Sequence, residues 1–376
     1  MGMGQTPTIA VIGRGLIGSA AARHLAVSGY APTVIGPDEP LDKRAHHGVF
    51  ASHYDEGRIT RKNATDAYWA EASIASIARY AEIEAASGIS FFSPVGALMA
   101  GDSDGAFMAS ARAVAASLGV SHKDLDRNGA ECQFPDLSLP DNWAVLWEDA
   151  ESGHISPRRL VAAQTRLAKD AGAQFLDAAV NGLDVKATGV DVTVGRDVLT
   201  FDRVLVAAGG MTDHVLGRDL KYKVCARTVA LFEMDEDQVA RLGYLPSLVM
   251  GTPEGHYLLP PIRYPDGKSY MKLGGDPDDI LLTSAQDIGD WFRSGGRADV
   301  RDDQEARFRA LFPGVSVRSV AMDACMTTWT DDLRPEIAAL SDRLFVAGAG
   351  NGAGAKCSDE LGRRGAALVM NSIEKG

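Results

Sequence analysis

One stretch near the start of the chain restricts the fold more than any other: Thr8 to Leu25, reading TIAVIGRGLIGSAAARHL. A β-branched apolar run, Ile9-Ala10-Val11-Ile12, enters Gly13-Arg14-Gly15-Leu16-Ile17-Gly18 and then an alanine-rich segment. The run has the composition of a strand buried on both faces and the following segment that of a helix, so the glycines fall at a strand-to-helix turn. Each glycine has its own task. Gly13 can take a positive φ, Gly15 leaves the backbone open to a pyrophosphate, and Gly18 lets the helix lie close to the strand. The free N–H groups of the helix start, together with the positive end of its dipole, then face the phosphates. The stretch predicts a dinucleotide-binding unit of a parallel α/β sheet.

A second parallel strand is expected at Pro32-Thr33-Val34-Ile35-Gly36. An acidic residue at its end would take the ribose hydroxyls. Positions 36 and 37 are Gly and Pro, and the nearest carboxylate is Asp38, which reads equally well as a plain turn residue. Two later apolar strands also end in glycines. These are Arg203 to Gly210, and Arg343 to Gly348 running into Gly350-Asn351-Gly352-Ala353-Gly354-Ala355-Lys356. Helices are expected over Asp66 to Ala86, Ala106 to Leu118, Pro157 to about Ala171, Ser284 to Arg293 and Asp302 to Leu311. A β meander is expected over Val185 to Phe201. Antiparallel β patterns occupy Val224 to Phe232, Leu248 to Met250, Tyr257 to Leu259 and Ser269 to Leu273. The two patterns interleave, so the domains are expected to be discontinuous: 1–87, 150–217 and 325–376 in one, 88–149 and 218–324 in the other.

A chain of 376 residues, 45% of them hydrophobic, can bury a large core in two domains. Its net charge of −12, with both signs spread along the sequence, makes neither nucleic acid nor an anionic membrane an expected partner. Four cysteines (Cys132, Cys225, Cys325, Cys357) show no CxxC pair and no Cys/His spacing, so no disulfide and no metal site is expected. Nothing before Thr8 resembles a signal peptide, and the expectation is a cytoplasmic protein. The polar stretch His46 to Arg61 places histidine, tyrosine and serine beside Arg58 and Arg61, a set suited to a polar cleft or to a solvated loop. His46 and His47 read as surface residues.

The chain resembles the amine-oxidising flavoproteins of the D-amino acid oxidase superfamily, most closely the monomeric sarcosine oxidase branch. The resemblance is carried by the glycine turn, Ser52-His53 with Arg58-Ile59-x-Arg61, Gly153-x-Ile155, and Val206-Ala207-Ala208-Gly209. Met271-Lys272-Leu273-Gly274, Ala324-Cys325-Met326 and Gly352-x-Gly354-x-Lys356 continue it in the same order. It implies a Rossmann-like FAD-binding domain interleaved with an α+β catalytic domain on a mixed, largely antiparallel sheet. Gly13, Gly15, Leu16, Ile17, Gly18, Asp38, Ser52, His53, Arg58, Val180, Gly352, Gly354 and Lys356 would then contact FAD, and Cys325 would carry it through a thioether. Lys272 matches the lysine that promotes reaction of the flavin with oxygen, by stabilising the anion that forms. Arg61 and Lys356 match the pair that grips the substrate carboxylate, a forked guanidinium and a point charge. The implied partners are a small amino acid and O2, and the implied state is a monomer or weak homo-oligomer.

Two positions depart from the family pattern. Thr327 stands where the branch has a tyrosine and Asp276 where it has a histidine, so the pocket is expected to be roomier and more acidic. A larger substrate, with a second cationic group, is one reading; Asp276 pointing to solvent is the other. The activity implied is oxidation of the C–N bond of a secondary or cyclic amino acid, with O2 reduced to H2O2. Three alternatives stay open on the sequence. They are a flavin dehydrogenase that passes electrons to a carrier, an NAD-dependent dehydrogenase using the same turn, and a non-catalytic flavin-binding subunit.

Overall fold

The computed structural model describes residues 7–374. A six-stranded sheet runs in the order Glu336–Ala339, Leu344–Gly348, Arg203–Val206, Ile9–Ile12, Thr33–Ile35, Gln174–Leu176. All pairs are parallel except the edge strand Glu336–Ala339, which is antiparallel to its neighbour. All four side chains of Ile9–Ile12 are buried. A central parallel strand has no face in water, which is why its sequence is unbroken apolar rather than alternating. The helix Leu16–Val27 that follows packs on the long helix Gly354–Glu374 and on Pro157–Asp170.

The second sheet has eight strands, in the order Val320–Trp329, Lys223–Met234, Ser269–Gly274, Tyr257–Arg263, Ser247–Met250, Ala97–Asp102, Trp143–Glu148, Lys123–Asp126. Only Ser247–Met250 beside Ala97–Asp102 is a parallel pair. Leu98, Val145, Phe232, Leu248, Met271 and Leu273 form the core of this sheet, with Phe308 stacked on Phe232 at 4.0 Å between ring centres. Each such side chain contributes about 1.5–3 kcal/mol by leaving water. The expected meander is present as Val180–Val185, Val190–Val194 and Asp197–Phe201.

The expected fold class, a parallel nucleotide-binding sheet combined with a mostly antiparallel one, is the one observed. Several elements differ in extent. The helix expected over Asp66 to Ala86 is two helices, Ala67–Ile77 and Tyr80–Ser87. At the break Arg79 reaches the buried Asp359 and, at 2.8 Å, Glu360. Asp359 also takes Arg23 at 2.8 Å and Gln164 at 2.8 Å, a long-range network with no local signature. The helix expected from Asp302 begins at Ala298. The edge strands Lys123–Asp126 and Glu336–Ala339 lack an apolar period because they bury little. We place the last domain boundary after Trp329 rather than before Cys325, since Val320–Trp329 pairs along its whole length with Lys223–Met234.

Candidate active site

Both sheets contribute to one cavity of about 960 Å³. On the parallel side its wall is main chain. Gly13 has φ +101°, and a Cβ there would lie 2.3 Å from the Ala207 carbonyl oxygen. A Cβ on Gly18 would lie 1.9 Å from the Gly13 carbonyl oxygen, so the turn and the close approach of the helix both require glycine. Gly13, Gly15, Leu16 and Ile17 line the cavity; Gly18 does not, and acts by letting the helix close on the turn. Val180, Gly352 and Gly354 also line it. Asp38 does not reach this wall. Its side chain is 63% exposed, pairs with Arg14 at 2.8 Å, and borders an adjoining groove with His53 and Arg158. The Gly36-Pro37 corner carries the chain past the cavity before a carboxylate appears.

Of the stretch expected as cleft or solvated loop, Val49–Tyr54, Arg58, Ile59 and Arg61 line the cavity. The strand Arg58–Thr60 within this stretch pairs with Gly153–Ile155. Ser52 and His53 line the cavity, and burial with the Arg158 and Arg14 charges pulls His53 down to about 3, so its imidazole is neutral. His53 Nδ1 is buried without a hydrogen-bond partner among the described residues, and so is Arg61 Nε. Arg58 forms an ion pair with Asp55, donates to the Ser52 carbonyl at 3.2 Å and to Cys325 Sγ at 3.1 Å.

Arg61 and Lys356 face the cavity together. Lys356 sits in the first turn of Gly354–Glu374, is buried, and donates to the Trp69 carbonyl at 3.3 Å. Burial pulls its ammonium down to about 8 and lowers Arg61 as well. Behind them the buried Glu148 accepts from the Lys62 and Asn63 amides at 2.9 and 3.0 Å.

Lys272 is not in the wall. It is fully buried and donates to Asp55 Oδ2 at 2.6 Å and to the Gly57 carbonyl. Burial, aided by the Arg58 charge, pushes its pKa well below the usual lysine range. Lys272 and Arg58 share Asp55, and of the two only Arg58 reaches the cavity. A buried ammonium needs acceptors, and the ones within reach lie behind the wall.

On the antiparallel side, the five residues Cys325 to Trp329 at the end of Val320–Trp329 all line the cavity, with Cys325, Thr327 and Trp329 at period-two spacing. Cys325 is a free thiol. Thr327 Oγ1 accepts from Trp329 Nε1 at 2.7 Å, so an indole stands beside the position expected to be open. Tyr257 and Trp69 also line the cavity. Asp276 lines it too rather than pointing only to solvent. Burial raises its carboxyl to about 6, and its Oδ2 accepts from the Thr228 amide at 2.9 Å.

Sequence reasoning missed Trp69, Tyr257, Trp329 and the locking role of Asn351. Asn351 ties the Gly350–Gly354 turn to the neighbouring strand, with its amide on the Thr328 carbonyl and its side chain on the Thr330 amide, both at 2.9 Å. Period-two spacing from Cys325 was the available signal for Trp329; the others come from distant elements.

A glycine turn at the end of a parallel sheet, facing a deep cavity shared with an antiparallel sheet, defines a dinucleotide-dependent enzyme of the two-sheet kind. The chain belongs to the FAD dependent oxidoreductase family, whose model matches residues 8–368. It is similar to monomeric sarcosine oxidase of Streptomyces avermitilis, 26% identical over 216 residues, which is 57% of this chain and 54% of that one. It is also similar to N-methyl-L-tryptophan oxidase of Salmonella arizonae, 24% identical over 226 residues, covering 60% and 59%. The matches thus span little more than half of these curated relatives. Among solved structures, a variant of NikD, an unusual amino acid oxidase essential for nikkomycin biosynthesis, shares the fold with a TM-score of 0.78 at 20% identity, over 99% of this chain and 95% of that one. The wall fits FAD: the turn excludes any Cβ at Gly13, and His53 Nδ1 offers a buried polar atom with no protein partner. No described helix is long and apolar enough to cross a membrane.

Proposed function

We propose that the protein oxidises the C–N bond of a secondary (N-methyl or N-alkyl) or cyclic amino acid, with its carboxylate held by Arg61 and Lys356. The observation that carries this reading is the pair of cations in the wall of the same cavity as the glycine turn, Lys356 buried and Arg61 half-buried with its Nε buried and unpartnered. Glu148 stands behind Arg61, but the buried Nε–H has no acceptor, and a substrate carboxylate would supply one through a charge-assisted hydrogen bond. The chemistry FAD supplies when bound is acceptance of a hydride from the carbon beside the nitrogen, with O2 as final acceptor and H2O2 as product. Gly13, Gly15, Leu16, Ile17, His53 and Arg58 would hold the cofactor. Gly352, Gly354 and Val180 complete that wall, and Lys356 borders it.

The chain's own work is orientation and charge. Arg61 and Lys356 fix the carboxylate and so the direction of the reacting C–H, while Trp329, Trp69 and Tyr257 exclude water from it. The imine released is hydrolysed to amine and aldehyde or keto acid. We assign Cys325 as the point of covalent attachment, because it is a free cavity thiol that already accepts a hydrogen bond from Arg58. A second reading, in which electrons pass to a carrier, is favoured by the withdrawal of Lys272 from the wall behind Asp55. The test is turnover of a panel of N-methyl and cyclic amino acids under air, with peroxide and carbonyl product both measured. Equal peroxide and carbonyl supports the oxidase. Carbonyl formed only when an artificial electron acceptor is added supports the dehydrogenase, and no carbonyl in either case overturns the proposal.

A further inference from the structure

The cavity has a second pole. Asp276, Glu254 and Asp279 line it together with Arg227, so three carboxylates stand against one guanidinium. The guanidinium is taken: Arg227 Nη2 donates to Asp279 at 2.5 Å and Nη1 to the Ala226 carbonyl at 2.9 Å. Asp276 is held differently. One oxygen accepts from the Thr228 amide, and the other has no hydrogen-bond partner among the described residues. The residue before it, Gly275, has φ +140°, and a Cβ there would lie 2.6 Å from His256, so the turn that presents Asp276 is fixed. Gln304 Nε2 clamps the same turn through the Gly275 carbonyl at 2.9 Å. The carboxylate is therefore a preorganised acceptor with an unused oxygen in a cavity wall.

A second, independent feature stands at the same pole. Tyr257 lines the cavity and packs flat on its own sheet, where a Cβ on Gly274 would lie 2.5 Å from its hydroxyl. A carboxylate beside an aromatic face is the combination that recognises an alkylammonium or guanidinium, through a charge-assisted bond and a cation–π contact. Resting on the carboxylate grip proposed above, we infer that the substrate is an amino acid with a second cationic group. Its carboxylate lies at Arg61 and Lys356, and its distal ammonium or guanidinium at Asp276 beside Tyr257. Asp276 is then the residue that selects basic substrates over neutral ones of equal length.

The test uses the flavin-loaded protein and two ligands that cannot be oxidised, 5-guanidinopentanoate and hexanoate, titrated by the perturbation of the flavin absorbance. The expected result is that the guanidino acid binds about tenfold tighter than hexanoate, the gain of one charge-assisted bond. Asp276→Asn, which keeps an acceptor for the Thr228 amide, should bring that ratio to within about twofold of unity. Hexanoate binding with no advantage for the guanidino acid overturns this inference alone, as does an advantage that survives Asp276→Asn. Hexanoate failing to perturb the flavin at all overturns the carboxylate grip and this inference with it.

Discussion

The two walls of the cavity are built by different means. The parallel-sheet wall around Gly13 is main chain, set by contacts that leave no room for a Cβ. The opposite wall is side chains, Cys325, Thr327, Trp329, Asp276 and Tyr257, delivered by strand alternation and one glycine corner. The first kind of wall leaves no room for a side chain at Gly13 and, just behind it, at Gly18. The second tolerates substitution and, in the function proposed, makes the choice of substrate.

The largest effect expected from breaking this division is at Gly18. Gly18→Val would press a branched side chain into the Gly13 carbonyl, and loss of bound FAD with destabilisation by about 3 kcal/mol or more is expected, measured as flavin content and thermal midpoint. Substitutions in the other wall should leave flavin content intact.

Next in size is Arg61→Ala. Loss of the half-buried cation proposed to grip the substrate carboxylate should lower kcat/KM on the order of 100-fold, through KM, with the flavin spectrum retained. A kcat effect with KM unchanged would move Arg61 from substrate grip to chemistry.

Cys325→Ser is expected to leave fold and flavin content alone but to release the flavin on acid denaturation. Flavin that stays with the denatured variant would place the linkage elsewhere.

The pH dependence of carboxylate binding follows from Lys356. Its pKa lies near 8, so it is charged below that pH, and ligand affinity should be constant at pH 6.5–7.5 and fall as pH rises through about 8. Lys356→Arg keeps its charge and should remove that fall.

The smallest effect is expected at Asp38→Ala. An exposed ion pair with Arg14 is worth about 0.5 kcal/mol or less, and flavin affinity should change by less than about threefold.

The same division explains how much could be read from the sequence. The strand Ile9–Ile12 and its glycine turn are local: a few consecutive residues state both the conformation and the reason for it. The strands expected over Arg203 to Gly210 and Arg343 to Gly348 are legible on the same grounds and are observed as Arg203–Val206 and Leu344–Gly348; the helix Ala106–Leu118 has the bounds expected. Cys325, Arg61 and Lys356 were found as motif residues, and they line one cavity although nothing in their spacing requires it. Lys272 was matched by resemblance to the lysine that promotes reaction of the flavin with oxygen. Its surroundings, Asp55 and the Gly57 carbonyl, instead bind it in the layer behind. Trp69 and Tyr257 escaped notice because each reaches the cavity from an element distant in sequence. The break at Arg79 is hidden for the same reason, since its partner Asp359 is 280 residues away.

The most direct test of the central claim is anaerobic mixing of the flavin-loaded protein with a secondary amino acid and, separately, with the matching amine that lacks the carboxylate. The account predicts that the amino acid bleaches the flavin absorbance and that the amine at equal concentration does so at least about 100-fold more slowly, because Arg61 and Lys356 have nothing to hold. Bleaching at equal rates by both, or by neither, would contradict it.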